Sequence, residues 1–448
     1  MSVRFDPSGP LRGTLRPPPD KSISHRAALL AAIGEGTTRV DGYLAAADTG
    51  ATLAAVRELG AGVDELGAAN EGLELEIRGA GLRGPGERAS GAPVRIDVAN
   101  AGTLLRLLPG WLAGQGRGRW TLDGDESIRR RPVDRVAEPL SRMGAAVRCR
   151  EGRLPPLEVE GSELRGISYE LPVASAQVKS CVLLAGLLAD GETEVVEAVP
   201  TRDHTERMLT AAGVQIEVRE GTRGRGGAPR RIAIRGGNPL EIAEVSVPGD
   251  FSAAAFHLAA ALIVPGSEVV LEGVGLNPTR VGLLGILRRM GAPVEVESEE
   301  GGAGGEPRGR LVARHGGLRS TRVGAQEVAV AIDELPLVAL LGCFAEGETV
   351  VAGAGELRHK ESDRIAAIVD GLGALGAEIE ARPDGFAVRG HDGLRGGRID
   401  SRGDHRIAML GAVAGLASRD GVAVAGMEAA AVSYPGFEAD LRSLSGIG

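Results

Sequence analysis

The stretch LTAAGVQIEVR at residues 209–219 begins as the end of a helix, turns on Gly213 and continues as an alternating strand. Glycine at that point suits a helix C-terminus, and apolar residues at every second position after it read as a half-buried strand. The same reading fits VRELGAGVDEL from Val56, LSRMGAAVRCR from Leu140, LRRMGAPVEVE from Leu287 and LGALGAEIEAR from Leu372. LRSLSG from Leu441 counts as a degenerate sixth copy. The copies lie roughly 70–85 residues apart, too far for the common solenoids. Six helix and strand units divide evenly into two domains of three, in an α/β (α+β) fold. The boundary is expected near EVSVPGDFSAAAF (244–256), where a Pro248-Gly249 turn precedes an alanine-rich helix, just after the Gly-rich loop GTRGRGGAPRR from Gly221. SEEGGAGGEPRGR from Ser298 reads as a mobile hairpin loop.

Composition limits what such a chain does. Its 448 residues are 43% hydrophobic and 25% charged, which is ordinary globular usage with enough apolar material for a real core. Glycine, at 69 residues, has roughly twice its usual ~7% share without the period of collagen, so many tight turns are implied. Acidic residues outnumber basic ones 60 to 51, for a formal charge of -9, and there are only six Phe, three Tyr and two Trp. A general nucleic-acid binder needs a basic surface and stacking platforms, so nucleic acid is not an expected partner. Lysine occurs only at Lys21, Lys179 and Lys360, the other 48 basic residues being arginine. A compact ammonium and a planar guanidinium do different chemistry, which marks those three positions. Cys149, Cys181 and Cys343 are odd in number and widely spaced, giving neither a disulfide framework nor a zinc site. The opening MSVRFDPSGPLRG lacks a signal-peptide core, and no apolar run reaches the ~18 residues of a membrane span. A cytoplasmic protein with no membrane partner is expected.

Two segments, GAGLRG from Gly79 and GLGALG from Gly371, match the dinucleotide-binding fingerprint by letter, but neither is read as opening a helix after a strand. The chemistry lies instead in short polar clusters where turns should be. In PPPDKSISHRAALLAAIGEG (17–36), Asp20 or Ser22 can cap an amphipathic helix, which puts Lys21, Ser22 and Arg26 near free amides that favour an anion. In VANAGTLLRLLPG, Asn100, Gly102 and Thr103 precede an apolar helix carrying Arg106. Gly102 there allows a ligand close to the backbone, or simply makes a tight turn. DGDESIRRRPVDRV ends three arginines at Arg131, ahead of a helix started by Pro132, where one guanidinium can meet a carboxylate or phosphate. LPVASAQVKSCVLLAGLLADG opens an apolar helix at Ser175, Ala176 and Gln177, and TRDHTERML adds Arg202. In AVAIDELPLVALLGCF, Asp333 and Glu334 stand at the edge of an apolar segment, as a helix cap or as a partly desolvated base. ELRHKESDRIAAIV packs Arg358, Lys360, Glu361, Asp363 and Arg364 before a helix, and SRGDHRIAMLGAVAGLA sets Asp404, His405 and Arg406 at another. Each cluster alone reads equally as a capped helix with solvated charges or as surface ion pairs. Together they fit a cleft between two domains binding a small polyanion, with Asp333 and Glu361 left for proton transfer. The residues by themselves describe a transferase or isomerase of phosphorylated acids.

The clusters DKSISHR, NAGTLLR, DGDESIRRRP, PVASAQVKS, TRDHTERM, IDELP, RHKESDR and GDHRIAM run in this order from Asp20 to Met409. They resemble those of the 5-enolpyruvylshikimate-3-phosphate synthase family, the 3-phosphoshikimate 1-carboxyvinyltransferases of the shikimate pathway. The resemblance implies the two-domain enolpyruvyl transferase fold, with three repeated helix and strand units per domain around a pseudo-threefold axis. Residues 15–244 would form one domain, 1–14 with 245–448 the other, joined by a double crossover with the active site in the cleft between them. It also implies a reaction: the enolpyruvyl group of phosphoenolpyruvate passes to the 5-hydroxyl of shikimate 3-phosphate with release of phosphate, in chorismate and aromatic amino acid biosynthesis. Carried over by residue, Lys21, Ser22, Arg26, Ser175, Ala176, Gln177 and Arg202 hold shikimate 3-phosphate, with Asp333 and Lys360 reaching its ring hydroxyls. Lys21, Asn100, Gly102, Arg131, Gln177, Arg364 and Arg406 bind phosphoenolpyruvate. Asp333 is the implied base at the 5-hydroxyl and Glu361 the acid at the methylene carbon, with Lys21 also catalytic. The two carboxylates can exchange roles between addition and elimination.

No metal or organic cofactor is implied, and a monomer is the family expectation. Val432 stands where some members have a lysine, two residues before the aromatic-Pro pair. Gly102 is the residue of glyphosate-sensitive members, which implies inhibition competitive with phosphoenolpyruvate. The sister enzyme acting on UDP-N-acetylglucosamine is the nearest alternative, but it usually has a cysteine in the loop before RPVD and an asparagine after the first lysine. Here the loop is GDESIRR and the residue is Ser22. A non-catalytic repeat scaffold is the alternative of another class, and it would have no use for Asp333, Glu361 and the near-complete set of anion ligands.

Overall fold

The computed structural model describes residues 2–69, 72–88, 92–221, 229–237, 239–299, 302–390 and 393–446. Most of the Gly-rich loop from Gly221, at 222–228, lies outside them, as do residues 300 and 301 of the stretch from Ser298.

Backbone sterics set the repeat. After each of five helices the chain passes through the left-handed region at a glycine: Gly60 (φ 104°), Gly144 (φ 108°), Gly213 (φ 85°), Gly291 (φ 74°) and Gly376 (φ 95°). A Cβ is penalised there, so glycine ends the helix and lets the chain reverse into a strand. Gly446 (φ 63°) marks the same place after the Phe437–Leu444 helix, in the degenerate sixth copy.

One complete copy runs as strand Val94–Asp97, inner helix Gly102–Ala113, strand Arg119–Asp123, outer helix Asp134–Arg142 and hairpin Ala146–Arg150 with Leu154–Glu160. Val94–Asp97 pairs parallel with Arg119–Asp123, which pairs antiparallel with Leu154–Glu160, leaving Ala146–Arg150 at the edge. The copy from Ser168 repeats this order. Two other copies take their parallel edge strand from a distant stretch of chain. Glu244–Ser246 pairs with Thr37–Tyr43, and Arg12–Leu15 pairs with Glu268–Gly275. In the sixth copy Ser2–Phe5 stands where the hairpin strand would be, antiparallel to Val422–Ala425. The fold is thus mixed α/β, built on a six-fold recurrence of one unit.

The strands that follow the turn glycines are less buried than their alternation suggests. Ile216–Glu220 and Val294–Ser298 each have one partly buried residue followed by four exposed ones, and Val218 and Val296 are 42% and 44% exposed. Both are edge strands with a neighbour on one side only. Cross-strand ion pairs such as Arg314–Glu295 (2.6 Å) and Arg310–Glu297 (3.0 Å) cover that surface and guard the edge against pairing with other chains.

Two compact units result, one of Pro19–Val247 with Gly301–Glu306 and one of Met1–Pro18, Pro248–Glu300 and Pro307–Gly448. We call them the first-half and second-half units. Each has its own apolar core, around Trp111 and Trp120 in the first and Phe251, Phe256, Phe386 and Phe437 in the second. Each such ring contributes ~2–3 kcal/mol through burial. The inner helices are enclosed on every side, with all 13 residues of Phe251–Ile263 buried. In Lys21–Ile33 every residue from Ile23 onward is buried, so the amphipathic helix expected there is corrected to one without a solvent face. Helices Ala47–Glu58, Gly102–Ala113 and His204–Ala211 pack around it and cover Arg26 as well as the apolar residues. Among the described residues no helix is long and apolar enough to cross a membrane.

Two smaller expectations are also corrected. GAGLRG does follow a strand, Gly72–Arg78, and leads into the short helix Gly84–Arg88. A side chain on Gly79 would meet the Gly34 carbonyl oxygen at 1.9 Å, so that glycine serves backbone packing. The loop from Ser298 is docked in its described part. Ser246 N donates to Ala303 O (2.9 Å), and Glu306, 3% exposed, lies beside His204. A buried carboxylate needs such a partner.

The turn glycines give a direct test. Gly213→Ala and Gly291→Ala should each cost ~1–2 kcal/mol through backbone strain alone, because no atom lies within 4 Å of the added Cβ. Gly285→Ala, equally unobstructed but inside the Gly282–Arg289 helix, should stabilise by ~0.5–1 kcal/mol. Urea unfolding compares the three, and a shift of the same sign in all would contradict the assignment of the turns.

Candidate functional site

The polar clusters fall into two groups, one in each unit. In the first-half unit, Asp20 caps the Lys21–Ile33 helix by accepting from Ile23 N (2.9 Å), which places Lys21 and Ser22 in the first turn. Lys21 Nζ lies 3.1 Å from Asp48 Oδ2 and keeps 22% of its side chain exposed. Arg26 sits one turn further in and donates to Thr205 Oγ1 (2.8 Å), Ser180 Oγ (3.0 Å) and Ser22 O (2.9 Å). Burial lowers its pKa to about 10 against the pull of Asp20, Glu206 and Glu306, so it remains a cation at neutral pH. Burial, together with Lys21 and Arg26, lowers neighbouring His25 to about 3 and keeps it neutral.

The second cluster of this unit is shaped by its turn. Ala99 adopts φ 48°, its N–H held by Asp97 Oδ1 (2.8 Å), and Asn100 follows. Asn100 accepts from Arg131 Nη2 (2.9 Å) and donates to Asp125 (2.6 Å), which fixes one face of the guanidinium. A Cβ on Gly102 would come within 2.9 Å of Arg131 Nη1 and 3.1 Å of Arg106 Nη1. Glycine is therefore what lets two guanidinium groups lie over the start of the Gly102–Ala113 helix. Pro132 stands two residues before the outer helix Asp134–Arg142 and does not begin it.

In the third copy Ser175 caps the Ala176–Gly186 helix through Val178 N (3.4 Å), and Gln177 donates to Thr103 Oγ1 (3.0 Å), joining this cluster to the second. Arg202 stands just before the His204–Ala211 helix, three residues from the Thr205 that holds Arg26. Lys179 is fully buried, 2.7 Å from Glu206 Oε1 and 3.0 Å from Glu197 Oε1, and is a core ion pair. Burial there raises the Glu197 pKa despite Lys179.

The second-half unit gathers the carboxylates. Asp333 is ringed by Arg364 Nη1 (3.3 Å), Arg280 Nη1 (3.6 Å), Arg406 Nε (3.6 Å) and Lys360 Nζ (3.9 Å). Arg364, 1% exposed, also meets Glu361 at 2.6 Å and Asp404 at 2.8 Å. One guanidinium therefore bridges both carboxylates read as proton-transfer groups. Burial works against its charge, but Glu361, Asp404 and Asp333 outweigh that and raise its pKa. Burial pushes the Asp404 pKa up, yet Arg364 prevails and the net shift is downward. Asp404 also caps the His405–Ala417 helix through Arg406 N (2.9 Å), which sets the position of Arg406. Glu334 occupies the N-cap position of Leu335–Gly342 without capping it; its side chain takes Arg280 (3.3 Å) and the Ser252 hydroxyl.

Arg280 is the residue the sequence reading missed. It is 3% exposed and pairs with Asp250 (3.2 Å) as well as with Asp333 and Glu334. A signal existed in the repeat: a cation stands shortly before the outer helix in four copies, as Arg131, Arg202, Arg280 and Lys360. In the sixth copy Val432 closes the short helix Met427–Val432 at that place. Among the described residues no three His, Cys, Asp or Glu side chains group as metal ligands would.

The Arg364–Asp404 pair gives a testable consequence. Asp404 is the most buried of the three carboxylates around Arg364, and removing it takes away a buried partner that Glu361 and Asp333 do not fully replace, so Asp404→Asn should lower stability by about 3 kcal/mol at pH 7 in urea unfolding. Because the folded Asp404 pKa is depressed, its stabilisation is complete above the unfolded value of 3.8 and is lost as pH falls through the folded value. The gap between wild type and variant should therefore be constant above pH 3.8 and narrow as pH falls below it, and a gap that stays constant down to pH 2 would contradict the pairing.

The chain is similar to known proteins along nearly its whole length. The family profile described as EPSP synthase (3-phosphoshikimate 1-carboxyvinyltransferase) matches residues 5–441. A 3-phosphoshikimate 1-carboxyvinyltransferase of Thermus thermophilus is 49% identical over 444 residues, 99% of each chain. That of Parasynechococcus marenigrum is 46% identical over 437 residues, 97% of this chain and 96% of its own. Among solved structures, EPSP synthase from Acinetobacter baumannii superimposes with a TM-score of 0.85 at 40% identity, covering 99% of this chain and 98% of that one. The enolpyruvyl transferase NikO from Streptomyces tendae shares the fold at a TM-score of 0.74 and 18% identity, covering 98% of this chain and 96% of its own. Matched along nearly its whole length by that profile and by these relatives, the chain belongs to the EPSP synthase family.

Proposed function

We propose that the two clusters act on one substrate pair in the reaction of this family. That reaction transfers the enolpyruvyl group of phosphoenolpyruvate to the 5-hydroxyl of shikimate 3-phosphate and releases phosphate. Shikimate 3-phosphate is held by Lys21, Ser22, Arg26, Ser175, Ala176, Gln177 and Arg202, with Asp333 and Lys360 at its ring hydroxyls. Phosphoenolpyruvate is held by Lys21, Asn100, Gly102, Arg131, Gln177, Arg364 and Arg406, whose cations match its carboxylate and phosphate. The observation that carries the reading is the Arg364 guanidinium bridging Asp333 and Glu361.

In the addition step the 5-hydroxyl oxygen bonds to C2 of phosphoenolpyruvate as its proton passes to Asp333. Glu361 delivers a proton to C3, which becomes a methyl group on a tetrahedral intermediate. Elimination then breaks the C2–O bond to phosphate, which leaves with the proton held by Asp333, while the methyl group returns one proton to Glu361 and the double bond reforms, so both carboxylates end as they began. Arg364 keeps both carboxylates in fixed orientation through both steps. The atoms balance without a redox step, so the reading needs neither metal nor organic cofactor; it takes the enzyme to be a cytoplasmic monomer. Transfer to UDP-N-acetylglucosamine is not favoured, because relatives named for the shikimate 3-phosphate reaction match 97–99% of the chain.

Phosphate release from phosphoenolpyruvate tests the acceptor. Release with shikimate 3-phosphate alone is expected; release only with UDP-N-acetylglucosamine would overturn the acceptor, and release with neither would leave a non-catalytic scaffold. Asp333→Asn and Glu361→Gln should each lower kcat at least ~1000-fold while shikimate 3-phosphate still binds in calorimetry; near-normal turnover of either refutes its role. Gly102→Ala crowds only the flexible ends of Arg131 and Arg106. Its unfolding midpoint should stay unchanged while KM for phosphoenolpyruvate rises about tenfold and glyphosate inhibition, competitive with that substrate in the wild type, weakens. An unchanged KM would remove Gly102 from that half of the site.

A further inference from the structure

Glu306 is a buried charge that neither cluster accounts for. It lies in the described part, residues 302–306, of the connection between strands Val294–Ser298 and Arg308–Arg314; the strands belong to the second-half unit, whereas this tip is part of the first-half unit. Backbone contacts seat the tip. Ser246 N donates to Ala303 O (2.9 Å), and a Cβ on Gly305 would lie 3.1 Å from Arg207 O. The Glu306 carboxylate, 3% exposed, stands 2.8 Å from His204 Nδ1, whose side chain is 2% exposed.

His204 is the first residue of the His204–Ala211 helix. Thr205, next to it, accepts from Arg26 Nε, and Arg202 stands two residues before it. Glu306 also acts electrostatically on Arg26 and Arg207. Lys179 grips the same segment through Glu206 (2.7 Å) and the Thr201 carbonyl (3.5 Å), but it comes from the segment's own copy of the repeat. Glu306 comes from a hundred residues further along the chain.

We propose that Glu306 is a positioning residue for shikimate 3-phosphate. Through His204 it fixes the helix start that carries Thr205 and Arg202, and through Thr205 it fixes the direction of the Arg26 guanidinium. The proposal rests on the reading of Arg26 and Arg202 as ligands of shikimate 3-phosphate.

Steady-state kinetics of full-length Glu306→Gln, Glu306→Ala and His204→Gln test it. Glu306→Gln keeps the shape of the side chain and removes its charge, so a folded enzyme remains available even if the alanine variant unfolds. The KM for shikimate 3-phosphate should rise about fivefold in Glu306→Gln, with kcat and the KM for phosphoenolpyruvate within about twofold of wild type. The double variant Glu306→Gln/His204→Gln should be no worse than the worse single one, because both act through one contact. An unchanged KM for shikimate 3-phosphate, or an equal rise in both KM values with a lowered melting temperature, overturns the proposal and leaves Glu306 a structural residue. Arg202→Ala serves as the control on the underlying reading: a KM for shikimate 3-phosphate that stays at the wild-type value there would remove the ligand assignment and the proposal with it.

Discussion

A guanidinium cut off from solvent must be surrounded by carboxylates, and Arg364 is the group on which that constraint falls most heavily. Asp333, Glu361 and Asp404 reach it from three different stretches of chain. Each of those stretches leads into a helix within a few residues, so satisfying one cation fixes the relative places of Leu335–Gly342, Arg364–Ala374 and His405–Ala417. Buried ion pairs are weak sources of net stability, since desolvation offsets most of their attraction. What this one supplies is orientation: the carboxylates of Asp333 and Glu361 are held by one planar group, with the cations of Lys360 and Arg406 beside Asp333.

The repeat explains how one chain arrives at such a concentration of charge. Each copy encloses an inner helix almost completely, so a polar side chain within it, such as Arg26 or Lys179, needs partners inside the protein, while other charges gather near its first turn and in the loop before the outer helix. Arg131, Arg202, Arg280 and Lys360 occupy that loop in successive copies, while the sixth has Val432. The Asp97-Val98-Ala99 turn before Gly102–Ala113 has its counterpart in Asp400-Ser401-Arg402 before His405–Ala417. Each aspartate accepts from the residue two places on, at 2.8 Å, and each of those residues has φ near 50°. Strained turns of this kind persist where the surroundings hold them, often at functional sites. Copies with a borrowed edge strand pair it in the same parallel sense as those without, so where the strand enters the chain matters less than the sheet it completes.

Much of this was legible in the sequence, and what was not has a physical cause. The turn glycines could be read because positive φ is a local requirement that few other residues meet. The helix starts at Asp20, Ser175 and Asp404 could be read because capping is local too. The exposure of Val218 and Val296 could not, because it depends on which position in a sheet each strand takes. The Lys21–Ile33 helix read as amphipathic because Arg26 looks like a surface residue until Thr205 and Ser180 are seen to bond it inside. Arg280 and Glu306 were overlooked for the same reason: their partners lie 30 to 102 residues away and no local pattern announces them. Family resemblance supplied roles for single residues, which periodicity and charge do not.

The claim everything else serves is that protons enter and leave C3 of phosphoenolpyruvate through a saturated intermediate. The reaction of the wild-type enzyme with both substrates in deuterium oxide, followed by mass spectrometry of the product, addresses it directly. A methyl group built from solvent-exchanged Glu361 and unmade by loss of any one of its three hydrogens leaves deuterium in the product's methylene, and that is the expected result. Full turnover with a methylene free of deuterium would contradict it.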